Sequence, residues 1–171
     1  SPPQLLDKIP KDGVRGLWTY WDKNGRKIEE GYFSPNGVAK GNWSYWDKNG
    51  RKRLGKKIKY ETFTNKDAVK HLDGYFLVSG PENDLNSIHT QAHGSIRGGL
   101  LNGLWTFWDN EGNLLETKSY KYGLMSGPYS SYHSNGHKLS SGVVIGNDEN
   151  GNAIMHGSWS FWNQDGLLIE K

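Results

Sequence analysis

Two pairs of histidines have the spacing that lets two imidazoles share a metal ion on a helix. The first pair is His89 and His93, and the second is His133 and His137. Neither pair lies in a segment with helical periodicity, the second pair spans a turn, and no third ligand or metalloprotease glutamate accompanies them. The sequence therefore predicts ordinary loop histidines, with no metal and no other cofactor.

Other catalytic signatures are also missing from the sequence. The chain has no cysteine, and it has no Gly-x-Ser-x-Gly elbow, no phosphate-cradling Gly-Lys-Ser loop and no dinucleotide fingerprint. Its 23 glycines fall largely in repeated turns. We therefore predict that the protein is not an enzyme, and no catalytic residue is nominated.

The strongest charge signal is a basic segment, residues 48–59, in which seven of twelve residues are Lys or Arg. Such a segment could hold an acidic protein, anionic headgroups or a phosphate backbone, at about 1 kcal/mol per charge near a membrane surface. The alternative is a solvated hairpin edge whose charges prevent aggregation. The candidate binding residues are Lys48, Arg51, Lys52, Arg53, Lys56, Lys57 and Lys59.

The basic segment belongs to a repeat that runs along the whole chain. A glycine is followed by aromatic residues two, four and five positions later and then by a turn, first in residues 16–25 and again in residues 41–50. Further copies begin at Gly103, Gly127 and Gly157, and the copy at Gly127 has tyrosines instead of tryptophans. Self-similarity of this kind indicates a repeat architecture.

A sixth, degenerate copy is indicated at Gly74, with Phe76 in the first aromatic position. The six anchor glycines are then 24 to 33 residues apart, which suits two strands and their turns and is short for a βαβ crossover. Asn-Gly pairs such as Asn24-Gly25 favour type I′ hairpin turns. The sequence predicts an all-β fold, an elongated single sheet of about six stacked antiparallel β-hairpin repeats, with a short helical turn in residues 65–72.

The aromatic positions are expected to differ in burial. An isolated hairpin is marginal in water, so each unit should bury an aromatic face against the next unit. The second and fifth positions are aromatic in all five clear copies, which predicts that they form the core, although strict alternation puts them on opposite faces unless a bulge intervenes. The fourth-position aromatics are the predicted exposed row and candidate stacking platform: Tyr20, Tyr45, Phe107 and Phe161.

Composition limits the remaining possibilities. Eight Trp, nine Tyr and five Phe among 171 residues supply apolar area that scarce aliphatic residues do not. No apolar stretch is long enough to span a bilayer, so we expect no transmembrane segment, and we expect residues 1–12 to be a tether or cap and residues 13–171 the repeat domain. Residues 1–73 hold sixteen basic against nine acidic residues, and the remainder hold five against nine. The basic charge therefore lies in the first half.

The pattern Gly-x-Trp-x-Tyr-Trp-Asp-x-Asn-Gly, with a charged return strand ending near Gly-x-Tyr, resembles the variant MORN repeats of bacterial proteins. The resemblance covers about residues 13–171. It implies an elongated sheet of stacked hairpins without a catalytic centre, and roles in binding proteins or lipids or in neutralising toxins. Choline-binding and glucan-binding repeats are a second resemblance, with a different aromatic core and turn.

Two functional hypotheses follow. The first is a non-catalytic protein–protein interaction module, such as a bacterial immunity or antitoxin-type protein or an envelope adaptor, in the bacterial cytoplasm or cell envelope. The second is a module that recognises anionic lipid or glycan through the basic segment and exposed aromatics; nucleic acid is not an expected partner. Contacts are expected where the repeat is broken: the basic segment, the insertion at residues 62–73, the unit at Gly74 and the loop at residues 146–151.

Overall fold

The computed structural model describes residues 16–21, 24–36, 38–46, 49–80, 90–109 and 113–171. The predicted tether or cap, residues 1–12, and the candidate residue Lys48 lie outside the described residues.

The described part of the chain forms one sheet of twelve strands, each hydrogen-bonded to the next in sequence order. This confirms the prediction of an all-β fold based on a single sheet of hairpin-like units. Among the described residues no helix is long and apolar enough to cross a membrane. The elements are β1 (Gly16–Trp21), β2 (Lys27–Phe33), β3 (Ala39–Trp46), β4 (Lys52–Lys59), α1 (Tyr60–Thr64), α2 (Lys66–Val69), β5 (Gly74–Ser79), β6 (Thr90–Arg97), β7 (Leu100–Trp108), β8 (Leu114–Lys121), β9 (Leu124–Tyr132), β10 (Lys138–Asn147), β11 (Ala153–Trp162) and β12 (Leu168–Glu170).

The anchor glycines define the units in the structure as they do in the sequence. Each lies in an odd-numbered strand from β1 to β11, and each has a positive φ angle, which side chains other than glycine rarely adopt. The degenerate anchor Gly74 shares this conformation, with φ of 128°, so the sixth copy is a genuine unit of the array. The anchors are Gly16, Gly41, Gly74, Gly103, Gly127 and Gly157.

Where the structure describes the central residues, the turns inside the units are not the predicted type I′ turns. That type needs positive φ at both central residues, whereas Tyr122 is the one non-glycine among the described residues with a positive φ. Tyr122 and Gly123 connect two hairpins, so the type I′ dihedral pattern occurs between units. In units such as the last one, the polar residue after the fifth-position aromatic caps the turn instead. Asn163 Oδ1, for example, accepts hydrogen bonds from the backbone N–H groups of Asp165 and Leu167, at 3.0 and 2.9 Å.

At three junctions of the array, a tryptophan lies over a glycine of the preceding hairpin. The Trp43 ring in β3 covers Gly31 in β2 so closely that a Cβ added to Gly31 would lie 2.0 Å from a ring atom. Trp105 covers Gly94 in the same way, with a corresponding distance of 2.3 Å. Such contact is available only to a residue without a side chain, so the glycine and the tryptophan depend on each other.

Two units depart from this pairing: the unit at Gly74, which has Phe76 in place of the tryptophan, and the unit at Gly127, which loses both residues together. Lys118 in β8 pairs with Trp105 as Gly31 pairs with Trp18, so it occupies the position of the covered glycine. The facing residue in β9 is Tyr129, the copy without tryptophan. A smaller ring therefore accompanies the larger residue beneath it.

Strands β4 and β5 are parallel, and the insertion between them forms α1 and α2. The expectation that no βαβ crossover would occur is wrong at this point, whereas the helical turn in residues 65–72 is confirmed by α2. The connection is possible because the insertion adds enough residues to return the chain to the starting end of the sheet. Every later strand therefore runs opposite to its counterpart in the first two hairpins.

This reversal exchanges the two faces of the repeat. Successive units are added in the same direction across the sheet before and after the reversal. Because the units are built of L-residues, a unit with reversed strands is related to an earlier unit by a half-turn about an axis that lies in the sheet perpendicular to the strands. This rotation brings the front of the unit to the back. We call the face that carries Trp43 and Tyr45 the front face and the opposite face the back face. The register agrees: Phe76 pairs with Lys56 on the back face, and Trp105 follows on that face over Gly94.

The buried clusters follow the same division. The front-face cluster of the first half consists of Tyr20, Phe33, Trp43, Tyr45 and Leu77. The second half has its clusters on the back face, one around Trp105 and one around Trp159. The insertion helices cover the back face where the core changes sides, and the Phe63 ring centroid lies 5.2 Å from that of Trp105.

The tryptophan-over-glycine contact predicts an asymmetric effect of two glycine substitutions in the first hairpin. Gly31→Ala should lower the free energy of unfolding by about 2 to 3 kcal/mol, because the added methyl group overlaps a fully buried ring. The control, Gly25→Asn, places its side chain in open space at a turn, where Asn tolerates positive φ. Urea denaturation measures both changes, and equal losses would contradict the proposed role of the contact.

Candidate functional site

The fourth-position aromatics do not form the predicted exposed row. Tyr20 and Tyr45 are only 2% and 9% exposed, and Phe107 and Phe161 are half-buried against the back-face clusters. The reason is alternation: the second and fourth side chains of a strand point to the same face, and that face is the one each unit buries. These four residues belong to the packing of the repeat.

The fifth-position aromatics, which the sequence predicts to be part of the core, lie on the opposite face. Trp21 and Trp46 are half-buried on the back face, and the Lys27 ammonium lies between them, 5.5 and 5.3 Å from their ring centroids. The Lys52 ammonium lies 5.6 Å from the Trp46 centroid. Cations at these distances are attracted to the ring faces, so the four residues form an alternating row across β1 to β4.

The candidate residues of the basic segment are divided between the two faces because they alternate along β4. Lys52 and Lys56 are exposed on the back face, and Arg53 is exposed on the front face. Arg51 and Lys59 are exposed at the two ends of the strand. The structure therefore does not bring the seven predicted residues into one patch.

Lys57 is not a surface binding residue. Its ammonium forms an ion pair with the Glu29 carboxylate, and the two side chains are 2% and 3% exposed. The ammonium also lies 4.4 Å from the ring centroid of Trp43 and 5.4 Å from that of Tyr20. Burial, opposed only in part by Glu29, holds the pKa of the Lys57 ammonium below its usual value. Lys57 is a structural residue of the front-face core.

The back face of β1 to β4, which we call the basic face, combines charge with isolated apolar side chains. Lys40 lies on it because it pairs with Tyr32, which faces away from the core. A central row across the four strands contains Thr19, Glu30 and Ser44 and ends at Leu54. The exposed side chains of this face are Leu17, Tyr32, Lys40, Asn42, Lys52, Leu54 and Lys56.

Glu30 is the acidic residue in the centre of this face, and its carboxylate already has hydrogen-bond partners on the face. It accepts hydrogen bonds from the Lys27 ammonium at 2.8 Å and from the Thr19 hydroxyl at 3.0 Å. These two bonds hold the pKa of the Glu30 carboxyl below its usual value. Lys27 is thereby neutralised, and the net positive charge of the face comes from Lys40, Lys52 and Lys56.

The histidines have separate environments. His93 is buried, packs against Tyr45 with tilted rings whose centroids lie 4.2 Å apart, and shares a hydrogen bond with the Tyr75 hydroxyl. His133 and His137 bond to different backbone carbonyls of the last hairpin turn, both at 2.8 Å. Within the described ranges, no three histidine or acidic side chains are grouped as metal ligands. His89 lies outside those ranges.

Comparisons with protein families, with curated proteins and with solved structures found no match to this chain. The geometry of the two faces therefore provides the basis for a functional proposal. Sequence reasoning missed the row formed by Trp21, Lys27 and Trp46. A signal was present, because lysine occurs two residues past the turn glycine in three of the five clear copies: Lys27, Lys52 and Lys138.

Substitution of two adjacent lysines separates the structural role from the binding role. Lys57→Met should cost about 3 to 5 kcal/mol of folding free energy, because it leaves Glu29 buried without its ion-pair partner. Lys56→Met, on the exposed side of the same strand, should change stability by about 0.5 kcal/mol or less. The double variant Glu29→Leu, Lys57→Met should recover much of the loss, as measured by urea unfolding. Equal effects of the two single substitutions would refute the assignment of Lys57 to the core.

Proposed function

We propose that this protein is a non-catalytic interaction module that binds an acidic protein through its basic face. The observation that carries the proposal is the exposure of Lys40, Lys52 and Lys56 on the basic face. The same surface exposes Leu17, Tyr32 and Leu54, and each of these three apolar side chains is more than half exposed. Aromatic and apolar side chains bordered by a polar rim are the composition of many protein-binding surfaces.

The arrangement favours a protein partner over a lipid surface. A membrane rewards a continuous apolar face with cations at its border, whereas here the hydrogen-bonding residues Thr19, Glu30 and Ser44 separate Leu17 and Tyr32 from Leu54. A folded partner can match such a surface residue by residue. Acidic side chains on that partner would pair with Lys52 and Lys56, whose ammonium groups project from the same strand.

The size of the basic face predicts weak, salt-sensitive association. Four strands of six to eight residues span about 20 Å by 20 Å, or about 400 Å². A standard stable interface uses about 800 Å² per partner. Contacts with the turns or with α1 would enlarge the area, and charge would mainly increase the rate of encounter.

The finer assignment rests on the resemblance to variant MORN repeats. It supports an immunity or antitoxin-type protein, or an envelope adaptor, in the bacterial cytoplasm or envelope. In both cases the module acts by occupying a partner and has no reacting group of its own. Anionic lipid or glycan remains the second candidate, and it is an outcome of the test below.

Charge reversal on the basic face tests the proposal. The Lys52→Glu, Lys56→Glu variant should lose most of the retention that the wild-type chain shows on immobilised poly-L-glutamate, because two favourable contacts become repulsive. The control, Lys66→Glu, Lys70→Glu, makes the same change in net charge on α2 and its end, outside the four strands of the basic face. Retention is measured at several salt concentrations, and unfolding curves confirm that both variants fold.

Two results would overturn the proposal. Equal loss of retention in both variants would mean that the chain responds to net charge alone. Binding to phosphatidylglycerol vesicles or to a sulfated glycan, without retention on poly-L-glutamate, would support the second candidate. Quantitative proteomics with the same two variants as baits then identifies partners that depend on Lys52 and Lys56 specifically.

A further inference from the structure

The last two hairpin turns enclose a shallow groove on the front face, opposite to the basic face. Its volume is about 450 Å³, and it is lined by His137, Lys138, Trp162, Asp165 and Gly166. Lys138 and Trp162 are on the front face because Lys138 pairs with Tyr132, and Trp162 follows the back-face residue Phe161. We propose that this groove binds an acidic sugar, a uronic or sialic acid residue, with its ring against Trp162 and its carboxylate on Lys138.

The walls of the groove are held by hydrogen bonds between the two turns. The Asn135 side-chain amide donates to the Gln164 carbonyl at 2.7 Å. His133 Nε2 bonds to the Trp162 carbonyl and His137 Nδ1 to the Gln164 carbonyl, both at 2.8 Å. Since a carbonyl oxygen only accepts, His137 carries its proton on Nδ1 and leaves Nε2 available to a ligand. The site is therefore largely formed before a ligand arrives.

The groups in the groove suit a sugar that carries one negative charge. Trp162 offers part of a flat apolar ring, and the Lys138 ammonium lies 5.6 Å from the ring centroid. Asp165 offers carboxylate oxygens that accept hydrogen bonds from hydroxyl groups. Phosphate, which offers negative oxygens on every side, would be repelled by Asp165, whereas a sugar carboxylate pairs with Lys138 and presents hydroxyls to Asp165 and His137.

Comparison with the first hairpins shows why this copy of the groove is suited to an anion. Lys27 is placed over Trp46 at 5.3 Å, much as Lys138 is placed over Trp162. Lys27, however, is neutralised by Glu30 at 2.8 Å. In the later unit the position of Glu30 is taken by Ser141, which pairs with Ser130 as Glu30 pairs with Thr19. Within the described part of the chain, Lys138 forms no ion pair and can accept an external carboxylate.

The test is an NMR titration of the full chain with sodium glucuronate, N-acetylneuraminate, glucose and acetate. We expect saturable shifts of the Trp162 indole and the Gly166 amide with the two acidic sugars, and a dissociation constant on the order of 1 mM, as suits a shallow site. Lys138→Gln should weaken glucuronate binding about fivefold, the effect of losing one exposed ion pair. Trp162→Leu should abolish binding of every sugar.

Parallel titrations with free galacturonate and with polygalacturonate distinguish a free sugar from a polymer as the source of the ligand, and saturation by either supports the site.

Lys52→Gln is the matched control, since its ammonium lies 5.6 Å from the Trp46 ring in the same way. It should leave sugar binding unchanged while weakening retention on poly-L-glutamate, so the failure of one proposal is distinguishable from the failure of the other. Equal shifts with acetate, full glucuronate affinity in Lys138→Gln, or no saturable shift with either acidic sugar would each overturn the sugar site.

Discussion

The close contact of a tryptophan ring with a bare glycine on the neighbouring strand is the constraint on which this fold depends. It decides how the side chains of successive hairpins pack, because a ring can cover a backbone only where no side chain intervenes. It also sets which face each unit buries, since the tryptophan and its fourth-position neighbour must share that face. The exception at Lys118 and Tyr129 supports the same rule, because the smaller ring occurs where the glycine is absent.

The parallel pairing of β4 with β5 gives the array its two-sided character. A chiral unit that continues in one direction across a sheet must exchange its faces when its strands reverse. The first half consequently leaves its lysines and fifth-position tryptophans on the back face, and the second half leaves Lys138 and Trp162 on the front face. The chain thus presents related chemistry on opposite sides of a single sheet, with the insertion helices where the core changes sides.

Burial divides the lysines into two kinds. On the exposed faces, lysines lie beside tryptophan rings and keep their ammonium groups at the surface. In the front-face core, Lys57 is enclosed by aromatic rings and forms an ion pair with Glu29. The stability of this core therefore depends on one buried partner of Lys57. One strand, β4, contains both kinds at consecutive positions, since alternation places Lys56 and Lys57 on different faces.

The sequence by itself determined the unit, the number of units and their assembly in one sheet, because the glycine, aromatic and turn positions recur within each short segment. It also indicated the degenerate unit at Gly74 and the short helix after Asn65. It did not determine the parallel pairing of β4, the exposed or buried state of Tyr20 and Trp21, or the burial of Lys57. Those features depend on which strand lies beside which, and on the face that the neighbour covers. Only the tertiary structure decides them, because side-chain burial in a sheet is set by contacts between residues that are distant in sequence.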